Sequence, residues 1–165
     1  MENVKIKILI TGGTFDKEYD EIKQTLLFKQ SHVPAVLKEG RNRLDVEVVT
    51  LMLKDSLQMT DADRDVIANY CKTAQEFKII ITHGTDTMDQ TAQYLAARVP
   101  DNTIVITGAM VPYTFGSSDG IFNLACALAF VQTLPAGVYV AMNGQCFQAG
   151  NVKKNTESGF FSKIR

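Results

Sequence analysis

Apolar positions along this chain fall into two kinds of run, and their alternation predicts the architecture. Short, near-continuous apolar stretches lie at 77–82 (FKIIIT), 103–107 (TIVIT) and 138–142 (VYVAM). Runs of this length bounded by turn residues read as strands buried on both faces of a parallel sheet. At the amino end Val4, Ile6, Ile8 and Ile10 alternate with Lys5, Lys7 and Leu9, which predicts a strand half-shielded at its start and buried toward its end. Residues 45–51 alternate and supply a further strand. Helical periods lie between these runs. Residues 31–39 carry Pro34 in the first turn and are closed by Gly40. Thr60 caps a second helix whose inward positions are Ala62, Val66, Ile67, Tyr70, Cys71 and Ala74. In a third, Met88, Ala92, Leu95, Ala96 and Val99 share one face before Pro100, with Thr87 and Gln90 spaced as a capping box. A fourth, 118–132, is apolar nearly all round. Strand and helix in turn predict an α/β chain, a three-layer flavodoxin-like sandwich with a mostly parallel central sheet, in a single domain over 1–165. Residues 16–30 lack a clear period and read as a loop over a crevice, and 145–152 as a hairpin or extended arm.

Two of the buried strands end in the same chemistry. After FKIIIT the chain reads HGTDTMDQT, which puts Thr85, Asp86 and Thr87 at the strand's carboxyl end, where open α/β sheets bind ligands. These residues either cap the following helix or face a ligand. The first strand ends in TGGTF, where two glycines allow a tight turn and close approach of the backbone, and Thr14 supplies another hydroxyl. The spacing lacks both G-x-G-x-x-G and G-K-[ST], which argues against a nucleotide loop. Two threonines at the ends of two strands facing one crevice form a constellation.

Composition narrows the partner. With 165 residues and 45% hydrophobic content the chain is long enough for a proper core. A formal charge of -1 with mixed signs offers no field for nucleic acid or an anionic membrane, so the expected partner is a small molecule. Cys71, Cys126 and Cys146 are odd in number and lie in or beside element-like segments, as expected of reduced thiols in the cytoplasm. The amino-terminal MENVKIKILITGG lacks an apolar signal core, and no run approaches a membrane span, so the chain is expected to be soluble and cytoplasmic. Two distant histidines and scattered carboxylates give no metal-ligand spacing, and His32 reads as a surface or cap residue. The all-round apolar helix must be covered on more than one side, either within the fold or in a homodimer.

In this order TGGTF, HGTDTM, TGAM (107–110), DGIFN (119–123) and NVKKNT (151–156) resemble the motifs of the bacterial-type L-asparaginase family. The resemblance covers nearly the whole chain, as the amino-terminal domain of two-domain members. It implies hydrolysis of L-asparagine to L-aspartate and ammonia without a cofactor. By the same resemblance Thr14 is the first nucleophile and Tyr19 its proton acceptor, while Thr85 and Lys154 relay protons and assist water. Ser56 holds the substrate α-carboxylate, Asp86 its α-ammonium, and the Ala109 carbonyl accepts from the scissile amide. The backbone amides at Thr14 and Thr85 would form the oxyanion hole. Each assignment has a plainer counterpart: Tyr19 as a loop aromatic, Ser56 as a turn residue, Ala109 as packing, Lys154 as solvated as Lys153.

Two departures from the family pattern bear on binding. Asp16, Lys17, Glu18, Asp20 and Glu21 crowd Tyr19, and Leu57 and Gln58 replace a polar pair. Two-domain members complete the pocket with an acid from a neighbouring subunit's second domain. Lacking that acid, the chain is expected to bind about ten- to a hundredfold more weakly, unless Glu18, Asp20 or Glu21 compensates. The D subunit of the archaeal glutamyl-tRNA amidotransferase shares such motifs, so the resemblance leaves the substrate open. Alternatives are a catalytically silent asparagine or aspartate sensor, an amidohydrolase for another small amide, and a module binding a nucleotide or a protein.

Overall fold

The computed structural model describes residues 4–165. In chain order these form β1 (Ile6–Gly12), β2 (Lys17–Asp20), β3 (Thr25–Phe28), α1 (Val33–Glu39), β4 (Val46–Lys54), α2 (Asp61–Thr73), β5 (Lys78–Thr82) and α3 (Met88–Ala96). There follow β6 (Thr103–Thr107), α4 (Gly120–Thr133), β7 (Gly137–Met142), β8 (Gln145–Gln148), β9 (Lys153–Lys154) and β10 (Phe161–Ser162). The central sheet runs β4-β1-β5-β6-β7-β8. Its first five members are parallel and β8 is antiparallel to β7. The turn between β7 and β8 is Asn143-Gly144, both at positive φ, as a two-residue hairpin with the right-handed strand twist demands.

Alternate residues of the buried strands feed two cores, one on each face of the sheet. Leu9, Ile79, Ile81, Ile104 and Ile106 pack with Ile67 and Cys71 of α2 and Met88 and Leu95 of α3. Ile8, Ile80, Val105 and Ala141 pack with Val33 and Val36 of α1 and Leu124, Ala127 and Val131 of α4. The architecture is therefore the predicted three-layer α/β sandwich. Burial on both faces is what made β5 and β6 continuous apolar runs.

The layer assignment has a topological consequence. The β1–α1–β4 connection steps one way across the sheet over the α1/α4 face, and β4–α2–β5 and β5–α3–β6 step back over the other face. These three share one hand, the right-handed one that twisted strands favour. The β6–α4–β7 connection continues in the second direction but over the α1/α4 face, so its crossover has the opposite, rare hand. It carries α4 to the face opposite α3 and sets its first turn beside the carboxyl end of β6.

Several local expectations change in the structure. Residues 17–28 form an antiparallel hairpin, with Tyr19 opposite Leu26, rather than a loop. Its strands are short and largely solvated, so no burial period marks them. Lys7 is buried, because its ammonium meets Glu47 at 2.8 Å and Glu76 at 3.4 Å. In α2, Thr60 does cap the helix and shares a capping box with Asp63, but Val66 faces solvent and Arg64 is buried in its stead. Thr87 makes no cap bond to α3, and its hydroxyl donates to the Ser56 carbonyl at 2.9 Å. A tertiary acceptor has taken the group that a local rule assigns to the helix.

Candidate active site

Adjacent strands whose connections leave on opposite faces of an open sheet bound a crevice at their carboxyl ends. Here those strands are β1, which leads to α1, and β5, which leads to α3. The loops that follow them touch through backbone. A Cβ placed on Gly13, at φ 84°, would lie 2.4 Å from the Gly84 nitrogen, and one on Gly84 would lie 2.6 Å from the Ser56 Oγ. Only glycine permits that approach at either position. Thr14 follows Gly13 and Thr85 follows Gly84, so these contacts bring the loops that carry Thr14, Thr85 and Ser56 together at the carboxyl end of the sheet. Ser56 is itself buried, at the start of a 3-10 turn capped by Asp55. Lys17 donates to Asp55 at 2.6 Å and holds its carboxyl below the usual range, which ties the hairpin's base to this turn.

Lys154 arrives from the far end of the chain. Its Nζ donates to the Thr85 Oγ1 at 2.8 Å and to the Asp86 Oδ1 at 2.7 Å. The arm that carries it is anchored by buried Val152 and Phe161, which join the core around Phe147, and by the Phe161 amide, which donates to the Asn143 Oδ1 at 2.9 Å. Successive strand residues point to opposite faces, which is why Lys154 turns inward while its neighbour Lys153 stays exposed. The Thr85 hydroxyl, accepting from Lys154, directs its own hydrogen to the Met110 sulfur at 3.5 Å, a weak acceptor that a substrate amide or water can replace.

The third wall is the loop after β6. Ala109 is buried there, and the loop is held by the first turn of α4. Asp119 accepts from the Met110 and Val111 amides at 3.0 Å, and Asn123 donates to the Gly108 carbonyl at 2.9 Å while accepting from the Asn143 amide at 3.2 Å. These two residues are the part of DGIFN that holds the loop, and the motif alone assigned them no task. Their spacing, one helical turn apart at a helix start, was the available signal. Replacing Asp119 by alanine removes a charged acceptor from two solvent-reachable amides and is expected to cost about 1 kcal/mol, read as a lower urea midpoint at unchanged slope. Asp119→Asn keeps one oxygen and should recover part of it.

Not every predicted residue is bonded into this cluster. The Thr14 hydroxyl has no hydrogen-bond partner among the described residues, and Tyr19 is 55% exposed on the hairpin without a bond to Thr14. Of the lid acids, Asp20 accepts from the Ile22 and Lys23 amides and so closes the hairpin turn. Glu18 faces His32 at 3.7 Å, and Glu21 is exposed in the turn. Of the two readings of His32, surface or cap, the second holds: it stands at the N-cap of α1, though without a side-chain cap bond, and it is buried, its ring stacked on Tyr113 with centroids 5.5 Å apart. Its amide donates to buried Asp16 at 2.7 Å, and burial holds the Asp16 carboxyl above the usual range.

Beneath Thr85 lies His83, fully buried. Burial, with Arg64 nearby, pushes its pKa down to about 4, so the ring is neutral at pH 7. Its Nδ1 lies 2.7 Å from the Gly84 carbonyl oxygen and its Nε2 2.8 Å from the Thr91 hydroxyl. Among the described residues no group of His, Cys, Asp and Glu could hold a metal ion. Burial also pushes the Cys71 thiol up to about 12, which leaves it inert at neutral pH.

Residues 5–162 match the family model for the asparaginase N-terminal domain. The chain belongs to the asparaginase family. A glutaminase-asparaginase of Acinetobacter glutaminasificans is 31% identical over 90% of this chain and 49% of its own length. A probable periplasmic L-asparaginase of Haemophilus influenzae is 39% identical over 92% of this chain and 46% of its own. Among solved structures, a probable cytoplasmic L-asparaginase of Campylobacter jejuni superposes with a TM-score of 0.82 at 31% identity, covering 97% of this chain and 53% of that one. The chain thus spans about half the length of these asparaginase relatives. Their names place them in different compartments, and among the described residues no helix is long and apolar enough to cross a membrane.

Proposed function

We propose that this chain carries an amidohydrolase site for L-asparagine, working through a threonine nucleophile and without a cofactor. The observation that carries this reading is the Lys154–Thr85–Asp86 cluster beside the Gly13–Gly84 contact, because one crevice then holds two hydroxyls, an amine and a carboxylate. Amide hydrolysis needs a nucleophile relieved of its proton and donors for the developing oxyanion. Thr14 Oγ1 attacks the side-chain carbonyl carbon of asparagine, and Tyr19 accepts its proton as the hairpin closes. The carbon–nitrogen bond breaks, and the nitrogen leaves as ammonia with that proton, passed through the relay. Water, assisted by Thr85 and Lys154, then cleaves the acyl ester, which releases aspartate and restores the Thr14 hydroxyl. Backbone amides at Thr14 and Thr85 stabilise both oxyanions. Ser56 receives the substrate α-carboxylate and Asp86 the α-ammonium, a charge-assisted contact. The Ala109 carbonyl accepts from the scissile amide.

Measurement of ammonia release from asparagine, with glutamine in parallel because relatives are named for both, tests the reading. Release from asparagine is expected, and silence at every concentration overturns it. A second reading, a silent asparagine or aspartate sensor, draws on the exposure of Tyr19 and its lack of a bond to Thr14. Heat of binding without ammonia would favour it. The proposal includes a cytoplasmic location and a homodimer. The latter is supported by α4, which buries Leu124, Ala127 and Val131 yet leaves Ile121 and Phe122 exposed. Light scattering that finds a stable monomer at working concentration removes the dimer.

A further inference from the structure

The buried polar chain under Thr85 has no part in the reaction as proposed, yet its hydrogen-bond directions can be derived. Arg64 is buried on α2, and its Nε donates to the Thr91 Oγ1 at 2.9 Å. A guanidinium can only donate, so Thr91 receives that bond and keeps its own hydrogen to give. Two acceptors lie within its reach, His83 Nε2 at 2.8 Å and, more weakly, the Met59 sulfur at 3.7 Å. The other end of the ring decides which of them takes it. Opposite Nδ1, at 2.7 Å, is the Gly84 carbonyl oxygen, which can only accept. Nδ1 therefore bears the hydrogen of the neutral ring, Nε2 is unprotonated, and the Thr91 hydroxyl donates to it.

That bond has a consequence one atom further along. The Gly84–Thr85 peptide is trans and planar, as all described peptides here are trans, so its C=O and N–H point in opposite directions. Drawing the Gly84 oxygen down toward His83 turns the Thr85 N–H the other way. Gly84 has no side chain to oppose a rotation of this plane, and the plane needs an external restraint. We propose that His83 is a positioning residue: through the donor relay Arg64–Thr91–His83 it fixes the Gly84–Thr85 peptide and so aims the Thr85 amide as an oxyanion donor. The assignment of that amide to an oxyanion hole rests on the function proposed above, whereas the restraint on the peptide does not.

Bond counts supply the test. The side-chain nitrogen of asparagine is as many bonds from Cα as imidazole Nδ1, and the side-chain oxygen of glutamine, an acceptor, as many as Nε2. His83→Asn therefore keeps the donor to Gly84 and loses Thr91, and His83→Gln does the reverse. Both carry an uncharged amide in the same buried place, so a merely structural role predicts similar losses in the two. We expect kcat to fall by about 10²–10³-fold in His83→Gln, the usual effect of a lost oxyanion donor. His83→Asn should stay within about tenfold of wild type, and KM should change little in either. Equal loss of kcat in both, after correction for the folded fraction, overturns the proposal. Crystal structures of the wild type and both variants give the readout that does not depend on turnover. The Gly84 carbonyl should face residue 83 in the wild type and His83→Asn and rotate away in His83→Gln. An unrotated carbonyl in His83→Gln overturns the restraint, even if the wild type releases no ammonia.

Discussion

Replacing Thr85 by valine is expected to lower turnover of asparagine by about 10²–10⁴-fold, the range a positioned proton-transfer group contributes. Lys154→Met should fall in the same range, and the double variant should lose little more than either single one. Groups that act as a unit are strongly non-additive, and the 2.8 Å Lys154–Thr85 contact makes these two a unit. Thr14→Ala is expected to remove most turnover as well, while Asp86→Ala should chiefly raise KM. Melting temperatures should move little, because Thr85 makes no helix-capping bond: α3 has no side-chain cap. Steady-state kinetics with a melting curve on each variant checks this. Full activity per folded molecule in Thr85→Val, with a large loss of stability, would reduce Thr85 to a structural residue.

Acid should destabilise the fold through His83 before the carboxylates titrate. Burial, the largest cause, lowers its pKa from 6.5 to about 4. Between those values the unfolded chain binds the proton and the folded chain does not, so stability rises with pH across that window. The contribution is complete above about pH 6.5 and is lost as pH falls toward 4. A shift of that size corresponds to about 3 kcal/mol, a large share of a typical domain's stability. Asp16 works in the opposite sense, since its raised pKa favours the protonated fold in acid. Urea unfolding of wild type and His83→Asn at pH 7, 5.5 and 4 isolates the effect. The wild type should lose about 3 kcal/mol more than the variant over this range, and parallel losses would show that His83 is not held neutral.

How much of this was legible in the sequence depends on the range of the force that made each feature. The parallel strands, the alternation with helices and the two threonines at strand ends were local: burial on both faces leaves an uninterrupted apolar run, and a turn against a neighbouring backbone calls for glycine. Ala109 came with the TGAM motif, and Ser56 by its position in the resembled family, although Leu57 and Gln58 depart from that pattern. The hairpin at residues 17–28 was illegible because solvent reaches most of it, so no alternation records its pairing.

Arg64 shows the limit most plainly. A helical period places positions 64, 67, 68 and 71 on one face, but an arginine among them reads as polar until Thr91, 27 residues away, is brought within 2.9 Å of it. The same holds for His32, which became an inside residue once Tyr113 stacked on it, and for His83, whose neutrality follows from complete burial. Lys154 and Lys153 were separable by resemblance alone, and strand alternation together with the anchoring of Val152 and Phe161 is what turns one of them onto a threonine 69 residues earlier. The amino-acid sequence by itself determined the buried strands and the helices, and which hydroxyls end those strands, because these depend on neighbours within a few positions. The tertiary structure decided the reversed hand of the β6–α4–β7 crossover, the inward arginine and the lysine that meets Thr85, because each is set by contacts whose free energy exists only once distant segments have already packed.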